Sequence, residues 1–441
     1  MTKDNLKKLH LALFIYGDGY FDLCTSIVLP NLVSLIGDLP DDIRVITELR
    51  VLTNPTGRAL LEAASALTTI KTLIPVKIAD TMVDGGYDLY GGYGPMILGQ
   101  ARLVHEASLE GAGIIFCPPD LVWSKGSFAT IARLAQEGYR AVIGPSARGI
   151  AEELSPILQS RIKLGGGKSL EISSIDLTKL MFDHWQKIND DFFWNDPTSI
   201  FWKSYAYWRV GHRQILMKCW QGPALFLWPY REVKDYDGWI DHRLVKSCAH
   251  GQREIYVVPD AREIHTLDLT PRDRVTGLAR QASKRWPLFK QLLIRKRHCR
   301  FNILYGEPSI RIYEEPAPET AWREADRRFN WETRPAMYAA VLLRPPMALI
   351  DGAWRHSGLA ALVPRWRAQM PALRAAVKTR LLGGHGPRTI VNLARARFQI
   401  GTRLRRFRAD AMASARATNL RPRSRLKAAR QRLYDYLQRR R

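Results

Sequence analysis

The chain has 441 residues, of which 46% are hydrophobic and 10% aromatic, so it holds enough apolar side chains for a large folded core. Its five cysteines are widely separated and form no CxxC pair, which argues against a zinc ribbon or a disulfide scaffold and favours a reducing compartment. Residues 331–441 carry 25 Lys and Arg against 4 Asp and Glu, whereas residues 1–330 carry 42 against 38. The charge pattern predicts a nearly neutral folded part followed by a basic appendage for an anionic partner surface.

The N-terminal segment has a basic start, and its short apolar run meets Gly17 and Asp18 without a small-residue cleavage site. We interpret it as a first strand and not as a signal peptide. No window reaches the ~18 uninterrupted apolar residues of a membrane span.

The first 150 residues alternate between strand-like and helix-like segments, which predicts an α/β fold with a mostly parallel central sheet flanked by helices. Strands are predicted at Leu11–Tyr16, Arg44–Val51, Thr72–Ile78, Ile114–Cys117 and Arg140–Ile143, and helices at Phe21–Ile36, Gly57–Ile70, Pro95–Glu110 and Ser127–Gln136. We expect Pro30 to kink or end the first helix.

The segment IIFCPPD, residues 114–120, predicts a functional site. A short apolar and β-branched run is typical of a strand that is covered on both faces, and Pro118 and Pro119 end it. Asp120 would then lie at the carboxyl end of the strand, where open α/β sheets bind ligands. The alternative is that Asp120 only caps a turn.

Several familiar motifs are absent. Gly167-Lys168-Ser169 resembles the end of a phosphate loop, but Ile162 stands where the motif needs its first glycine. Gly91-Gly92-Tyr93-Gly94 lacks the third glycine of a dinucleotide fingerprint. No GxSxG is present, so acyl hydrolysis is not indicated.

The second half of the folded part is rich in aromatic residues. Large rings are frequent between Phe192 and Trp239 and could line a pocket, although such rings more often form simple core. Asp237 and Asp241 lie close to Trp239 and could supply a general base, or they could belong to a solvated loop and helix cap. After the strand-like Arg253–Val258, the chain continues into PDAREIH, residues 259–265.

The order of these features resembles bacterial nucleotide-diphospho-sugar glycosyltransferases of the GT-A type. The resemblance covers roughly residues 10 to 270 and rests on the first strand and LPNL (29–32), the strand that ends at Thr53-Asn54, then CPPDLVWSKGSF (117–128), EGYRAVIGPSAR (137–148), FFWNDP (192–197) and VVPDAREIH (257–265). It implies a GT-A-like domain at residues 1–320, with a nucleotide-sugar half at 1–150 and an acceptor half at 151–320. The basic helical region predicted from the charge pattern then occupies residues 321–441.

The resemblance implies transfer of a sugar from a nucleotide-sugar donor to a glycan, a lipid-linked glycan or a protein. It places the nucleotide-sugar near Thr53, Asn54, Arg102, Asp120 and Arg148. The acceptor would lie near Trp194, Trp202, Trp208 and Trp239, and Asp241 or Asp237 would be the base if the reaction inverts.

The resemblance is incomplete at the metal-binding DxD element, because Pro118-Pro119-Asp120 supplies only one of its two carboxylates. A divalent cation, Mn²⁺ or Mg²⁺, would neutralise the leaving nucleotide if His265 or Asp260 completed the site with Asp120. Alternatively, Arg102 and Arg148 would neutralise it without a metal. A third option is that the fold binds ligands but no longer catalyses transfer.

The basic region contains apolar residues at helical spacing, namely Ile390, Leu393, Ile400, Leu404 and Phe407, followed by Leu426, Ala429, Leu433 and Leu437. Basic amphipathic helices lie on anionic bilayers, so we expect a cytoplasmic protein that is peripheral on the inner face of the membrane. The same arginines could bind nucleic acid, and a noncatalytic adaptor that acts through this region is the alternative function. Membrane binding is favoured because an apolar stripe is needed for insertion into lipid.

Overall fold

The computed structural model describes residues 6–80, 94–196, 205–219, 224–233, 244–245, 248–274 and 308–334. The chain divides into two units, Met1–Val341 and Leu342–Arg441, and all the described residues belong to the first unit. The predicted basic helices at 390–437 lie outside the described residues, and the boundary at residue 320 stays a prediction.

The described strands form three sheets. In chain order they are β1 (Leu9–Phe14), β2 (Thr47–Thr53), β3 (Val76–Asp80), β4 (Gly113–Phe116), β5 (Leu121–Trp123), β6 (Ala141–Ile143), β7 (Ser146–Ile150), β8 (Tyr205–Gly211), β9 (Gln214–Cys219), β10 (Phe226–Leu227), β11 (Ile255–Val257), β12 (Thr266–Thr270) and β13 (Ser309–Tyr313). The central sheet has the order β11-β6-β10-β4-β1-β2-β3. Its pairs are parallel except where β10 meets β4 and β6. Two three-stranded sheets, β5-β12-β7 and β13-β9-β8, complete the set.

Helices cover both faces of the central sheet. They are α1 (Asp18–Leu23), a π-helical segment (Cys24–Val28), α2 (Leu29–Gly37), α3 (Asp41–Arg44), α4 (Pro55–Ala63), α5 (Ser65–Leu73), α6 (Gly94–Glu110), α7 (Ser127–Gln136), α8 (Ala151–Leu164) and α9 (Ser174–Asp183). Lys187–Phe192 and Gln252–Glu254 are 3₁₀ turns, and residues 319–334 are helical. The mixed α/β class with a parallel-rich sheet is thus confirmed.

Alternate side chains of β1 pack in two different hydrophobic clusters. Leu9, Leu11 and Leu13 pack in one apolar cluster with residues of α2 and α7. Ala12 and Phe14 pack in another cluster with residues of α6 and α8. Every residue of β1 is buried, and all but His10 are apolar, which is typical of a strand that is covered on both faces.

The five predicted strands are confirmed, with ends displaced by at most four residues. The expected kink at Pro30 takes a different form, because the helix continues through the π-helical segment. Leu29 N donates to Cys24 O, five residues back, and Pro30 then lies in the first turn of α2, where a missing N–H costs little. The predicted helix Gly57–Ile70 is divided, since Ala64 adopts an extended conformation between α4 and α5.

One helical stretch in the described part of the chain, Gly19–Gly37, is long and apolar enough to cross a membrane by composition alone. Within it, Leu29, Leu32 and Leu35 have no exposed surface, because they pack against the central sheet. This packing identifies the stretch as a core helix of the folded unit.

Candidate functional site

A cavity of about 280 Å³ opens at the carboxyl ends of β1 and β4. Its lining residues are Ala12, Phe14, Tyr16, Gly17, Tyr20, Met96, Gln100, Leu103, Phe116, Pro118, Pro119 and Asp120. β1 lies between β2 and β4, and the helices after β1 cover one face of the sheet while α6, before β4, covers the other. Ligands of open α/β sheets bind at such a switch point, so this cavity is the candidate site.

Asp120 stands at the polar end of the cavity, in the turn between β4 and β5. Leu121 N donates to Pro118 O at 3.2 Å and closes the turn, and Leu269 N donates to Asp120 O at 2.8 Å. Burial, reinforced by nearby Asp268, raises the pKa of the Asp120 carboxyl to about 7, although Arg148 and Arg274 act in the opposite direction. The Asp120 carboxyl therefore holds its proton to a higher pH than an exposed aspartate does.

Asp268 brings a second carboxylate to this end of the cavity. It lies in the middle of β12, paired in register with Leu121 on one side and Arg148 on the other. Thr270 Oγ1 donates to Asp268 Oδ1 at 2.6 Å, and Arg148 Nε lies 3.8 Å from Asp268 Oδ2. The sequence prediction missed Asp268, because the five-residue strand TLDLT was not identified. Its one signal is a charged residue within an otherwise strand-forming run.

Arg148 is held by its backbone as well as by its side chain. Asn189, fully buried, accepts from Arg148 N at 3.3 Å and donates to Arg148 O at 2.7 Å. Burial lowers the pKa of the guanidinium, but interactions with Tyr205 and Asp268 outweigh it and raise the pKa above its usual range. Arg148 is thus a fixed positive charge beside the two carboxylates.

Tyr20 and Arg274 complete the polar end of the cavity. Tyr20 lines the cavity, and its side chain is hydrogen-bonded to that of Arg274, which follows β12. Burial, then the charge of Asp120, raises the pKa of Tyr20, so the phenol stays protonated at neutral pH. Two carboxylates and two guanidiniums therefore lie close together around Asp120, beside a mainly apolar cavity.

Three predicted nucleotide-sugar residues lie beside the cavity and are not among its lining residues. Thr53 ends β2 and is fully buried, and the next residue, Asn54, caps α4 by accepting from Gly57 N at 2.7 Å. Arg102 on α6 donates to Glu106 Oε1 at 2.8 Å and to Asp80 O at 3.3 Å. Of the predicted nucleotide-sugar residues, the structure brings Asp120 and Arg148 together.

Neither His265 nor Asp260 is among the described residues that line the cavity. Burial lowers the pKa of His265 to about 3, and its peptide is bonded to Ser124 in both directions at 3.0 Å. Within the part of the chain that the structure describes, neither ring nitrogen of the fully buried His265 has a hydrogen-bond partner. Asp260 accepts from Arg262 N at 2.8 Å and from Tyr313 Oη at 2.7 Å.

No group of three or more His, Cys, Asp or Glu side chains that could hold a metal ion occurs among the residues the structure describes. The carboxylates of Asp120 and Asp268 are the oxygen donors that the structure brings to the cavity end. Divalent cations such as Mg²⁺ are often bound by one or two carboxylates together with substrate phosphates. The donor set thus fits a cation that arrives with a phosphorylated ligand.

The predicted base and acceptor residues are only partly described. Asp237, Asp241, Trp202 and Trp239 lie outside the described residues. Trp194 and Trp208 are 4% and 8% exposed and pack in an apolar cluster with Phe329 and other residues of the helix at 319–334. Their rings therefore serve mainly as core between this helix and the sheet β13-β9-β8.

The chain matches no protein-family model and no curated protein. Among solved structures, mouse xyloside xylosyltransferase 1 in its apo form aligns with 14% identity and a TM-score of 0.23 over 36% of this chain and 57% of that chain. The mannosyltransferase PcManGT of Pyrobaculum calidifontis, in complex with GDP-Man and Mn²⁺, aligns with 10% identity and a TM-score of 0.29 over 86% of this chain and 88% of that chain. Similarity at this level does not establish the activity of the present chain.

Proposed function

We propose that the protein is a glycosyltransferase that moves a sugar from a nucleotide-sugar to an acceptor hydroxyl on a glycan, a lipid-linked glycan or a protein. The observation that carries the proposal is the cavity at the carboxyl ends of β1 and β4, with Asp120 at its polar end. The sheet topology supports the same conclusion, because this cavity occupies the switch point where α/β sheets bind nucleotides.

The apolar lining of the cavity and the charged residues near Asp120 suit the two parts of a nucleotide-sugar. Phe14, Tyr16 and Met96 supply an apolar wall against which a nucleobase can pack. Arg148 and Arg274 lie near Asp120 and are suited to the diphosphate, since guanidinium groups bind phosphate oxygens through paired N–H donors.

Asp120 and Asp268 would hold a divalent cation against the diphosphate. When bound, such a cation would neutralise the negative charge that develops on the leaving nucleotide. The pair would thereby replace the contiguous DxD element, with its second carboxylate taken from β12 in place of His265 or Asp260. Arg148 and Arg274 would contribute to the same neutralisation from the protein side.

The residues that we propose for acceptor binding and for the catalytic base are taken from the sequence alone. Asp237 or Asp241 would be the base of an inverting reaction, beside Trp202 and Trp239. The basic region at 321–441 would bring the domain to the cytoplasmic face of an anionic membrane. The charge difference between the two parts of the chain also supports the rival function, an adaptor that acts through this region alone.

The test is a thermal-shift screen of the full chain against UDP-sugars and GDP-sugars with and without Mn²⁺. A ligand at one hundred times its Kd stabilises the folded state by about 2.7 kcal/mol, which raises Tm by several degrees. We expect Asp120→Asn to lose this rise, whereas Asp42→Asn, a change at an exposed carboxylate remote from the cavity, should keep it. If no nucleotide-sugar raises Tm and the basic region carries all ligand binding, the adaptor function is correct.

A further inference from the structure

Two tyrosines of β8 support the side chain of Arg148 from a different sheet. Tyr205 and Tyr207 alternate along β8, so both side chains leave the same face of that strand, and they pack in one apolar cluster. Tyr205 is 6% exposed and Tyr207 is fully buried. The hydroxyl of Tyr205 is hydrogen-bonded to the guanidinium of Arg148. The arginine that we assign to the diphosphate therefore has a buried polar partner.

The direction of each hydrogen bond in this group follows from the chemistry of the partners. A guanidinium has only N–H donors, so the Tyr205 oxygen accepts from Arg148. Tyr207 Oη donates to Ser146 O at 3.1 Å, so the hydrogen bond between the two tyrosines runs from the Tyr205 O–H to the Tyr207 oxygen. The chain of hydrogen bonds thus starts at the Arg148 side chain and ends on the backbone of β7, the strand that carries Arg148.

The 3₁₀ turn at 187–192 holds both parts of this arrangement. The ring of Phe192 lies 4.6 Å from that of Tyr205 and 5.8 Å from that of Tyr207, measured between centroids. Asn189 in the same turn exchanges hydrogen bonds with the peptide of Arg148 in both directions. One short turn therefore fixes the Arg148 peptide directly and packs against the rings that support its side chain.

A tyrosine hydroxyl is suited to hold an arginine that must keep its charge for a ligand. Burial raises the pKa of Tyr205, so the phenol stays neutral and satisfies an N–H of Arg148 without cancelling its positive charge. Arg148 Nε lies 3.8 Å from Asp268 Oδ2, which is longer than a tight ion pair. A guanidinium without its Tyr205 acceptor would be free to close this distance, and less of its charge would then be available for phosphate.

We propose that Tyr205 is a positioning residue, which holds the Arg148 guanidinium in place for the diphosphate of the donor. The inference rests on the proposed function for the identity of the ligand. Tyr205 acts through Arg148, and Tyr207 fixes the direction of the Tyr205 hydroxyl. The ligand then meets an arginine whose conformation is set in advance, so binding loses less side-chain entropy.

The test is isothermal titration calorimetry of the full-length protein with inorganic pyrophosphate, UDP and GDP, each with Mn²⁺. A buffer with about 0.3 M NaCl screens the binding of phosphates to the exposed charges of the basic region. We expect Tyr205→Phe to weaken binding roughly three- to ten-fold, because Arg148 loses one ordered hydrogen bond. Tyr256→Phe, which removes the hydroxyl that donates to Glu263, is the matched control and should bind like the wild type.

A double-mutant cycle separates positioning from a general effect on the fold. Arg148→Met removes the charge and should itself weaken binding, and adding Tyr205→Phe to it should weaken binding no further. Wild-type affinity in Tyr205→Phe or in Arg148→Met overturns the inference, as does a further loss of affinity in the double variant. Should Tyr205→Phe not fold, Tyr207→Phe takes its place in the same cycle, because it removes the acceptor of the Tyr205 O–H.

The choice of probes separates this inference from the proposed function. If pyrophosphate binds and follows the expected cycle while no UDP-sugar or GDP-sugar raises Tm, the transferase function fails and the positioning role stands. Normal nucleotide-sugar binding with equal affinities of wild type and Tyr205→Phe leaves the function in place and overturns the inference. Absence of binding by all three probes overturns both.

Discussion

Arg148 and Asp268 occupy paired positions on the parallel strands β7 and β12, with Arg148 Nε 3.8 Å from Asp268 Oδ2. The distance exceeds that of a tight charge-assisted hydrogen bond, about 2.7–2.9 Å, so neither charge is fully neutralised by the other. Both can therefore interact with a further charged group, the guanidinium with phosphate and the carboxylate with a cation. The two residues thus place a positive and a negative charge side by side in the sheet β5-β12-β7, near Asp120.

We predict that Asp268→Asn weakens Mn²⁺ binding at least ten-fold in the presence of UDP or GDP. The amide keeps the shape of the side chain and its acceptor for Thr270, but it removes the negative charge that a divalent cation requires. Electron paramagnetic resonance of free Mn²⁺ measures the affinity directly and needs no acceptor. Asp42→Asn should bind Mn²⁺ like the wild type. Wild-type affinity in Asp268→Asn, together with loss in Asp120→Asn, would show that the second ligand comes from another residue.

The raised pKa of Asp120 predicts a pH dependence of folding stability. The folded-state pKa, about 7, lies above the value of about 3.9 for an exposed aspartate. The contribution of this group to stability is therefore fully present below pH 4 and is lost as the pH rises through 7. The unfolding free energy of the wild type should fall between pH 5 and pH 8 relative to that of Asp120→Asn, as measured by urea denaturation. If the unfolding free energies of the two proteins change with pH in the same way, the pKa of Asp120 is not raised in the folded state.

Gly57, in the first turn of α4, supports the cavity edge by leaving space for its neighbours. A Cβ atom at this position would overlap the ring of Phe21 and the hydroxyl of Thr53. We expect Gly57→Ala to lower the unfolding free energy by about 1–3 kcal/mol through overpacking. Gly37→Ala, at the end of α2 with no atom within 4 Å of the new Cβ, is the matched control. It should stabilise the protein by about 0.4–1 kcal/mol, so equal stabilities of the two variants would contradict the packing.

The sequence predicted the central sheet because its main strands are short segments rich in apolar residues that alternate with helical segments. It could not predict β10, whose two residues complete the sheet between β4 and β6 through tertiary pairing alone. Asp120 could be singled out because it follows such a run directly. Asp268 and Arg274 reach the same place only through the pairing of β12 with β5, a long-range contact without a local sequence pattern.

The aromatic residues show a second limit of sequence reasoning. Trp194 and Trp208 belong to an aromatic run that is typical of either a pocket or a core. In the structure both side chains are buried in a core. Trp331, which is 77% exposed, was not singled out, because nothing near it in the sequence distinguishes an exposed ring from a packed one. Burial depends on which elements meet, and here it depends on the helix at 319–334 and the sheet β13-β9-β8.

The basic C-terminal region predicts binding to an anionic membrane surface. Apolar residues recur there at helical spacing among arginines, including Ile400, Leu404 and Phe407. Each basic residue near an anionic surface contributes about 1 kcal/mol at low ionic strength, and the apolar stripe adds insertion into the interface. Flotation with vesicles that contain anionic lipid should carry the full chain upward at low salt, and binding should weaken at high salt as the charges are screened.

Deletion of residues 385–441 should abolish this flotation, and vesicles of neutral lipid should bind the full chain far less. Nucleic acid competes for the same arginines, but phosphates gain nothing from the apolar stripe, so affinity for DNA should be lower than for anionic vesicles at equal ionic strength. Equal flotation by the truncated protein would place the membrane contact in the folded part. Tighter binding to DNA than to vesicles would make nucleic acid the partner of this region and leave the apolar spacing without a membrane role.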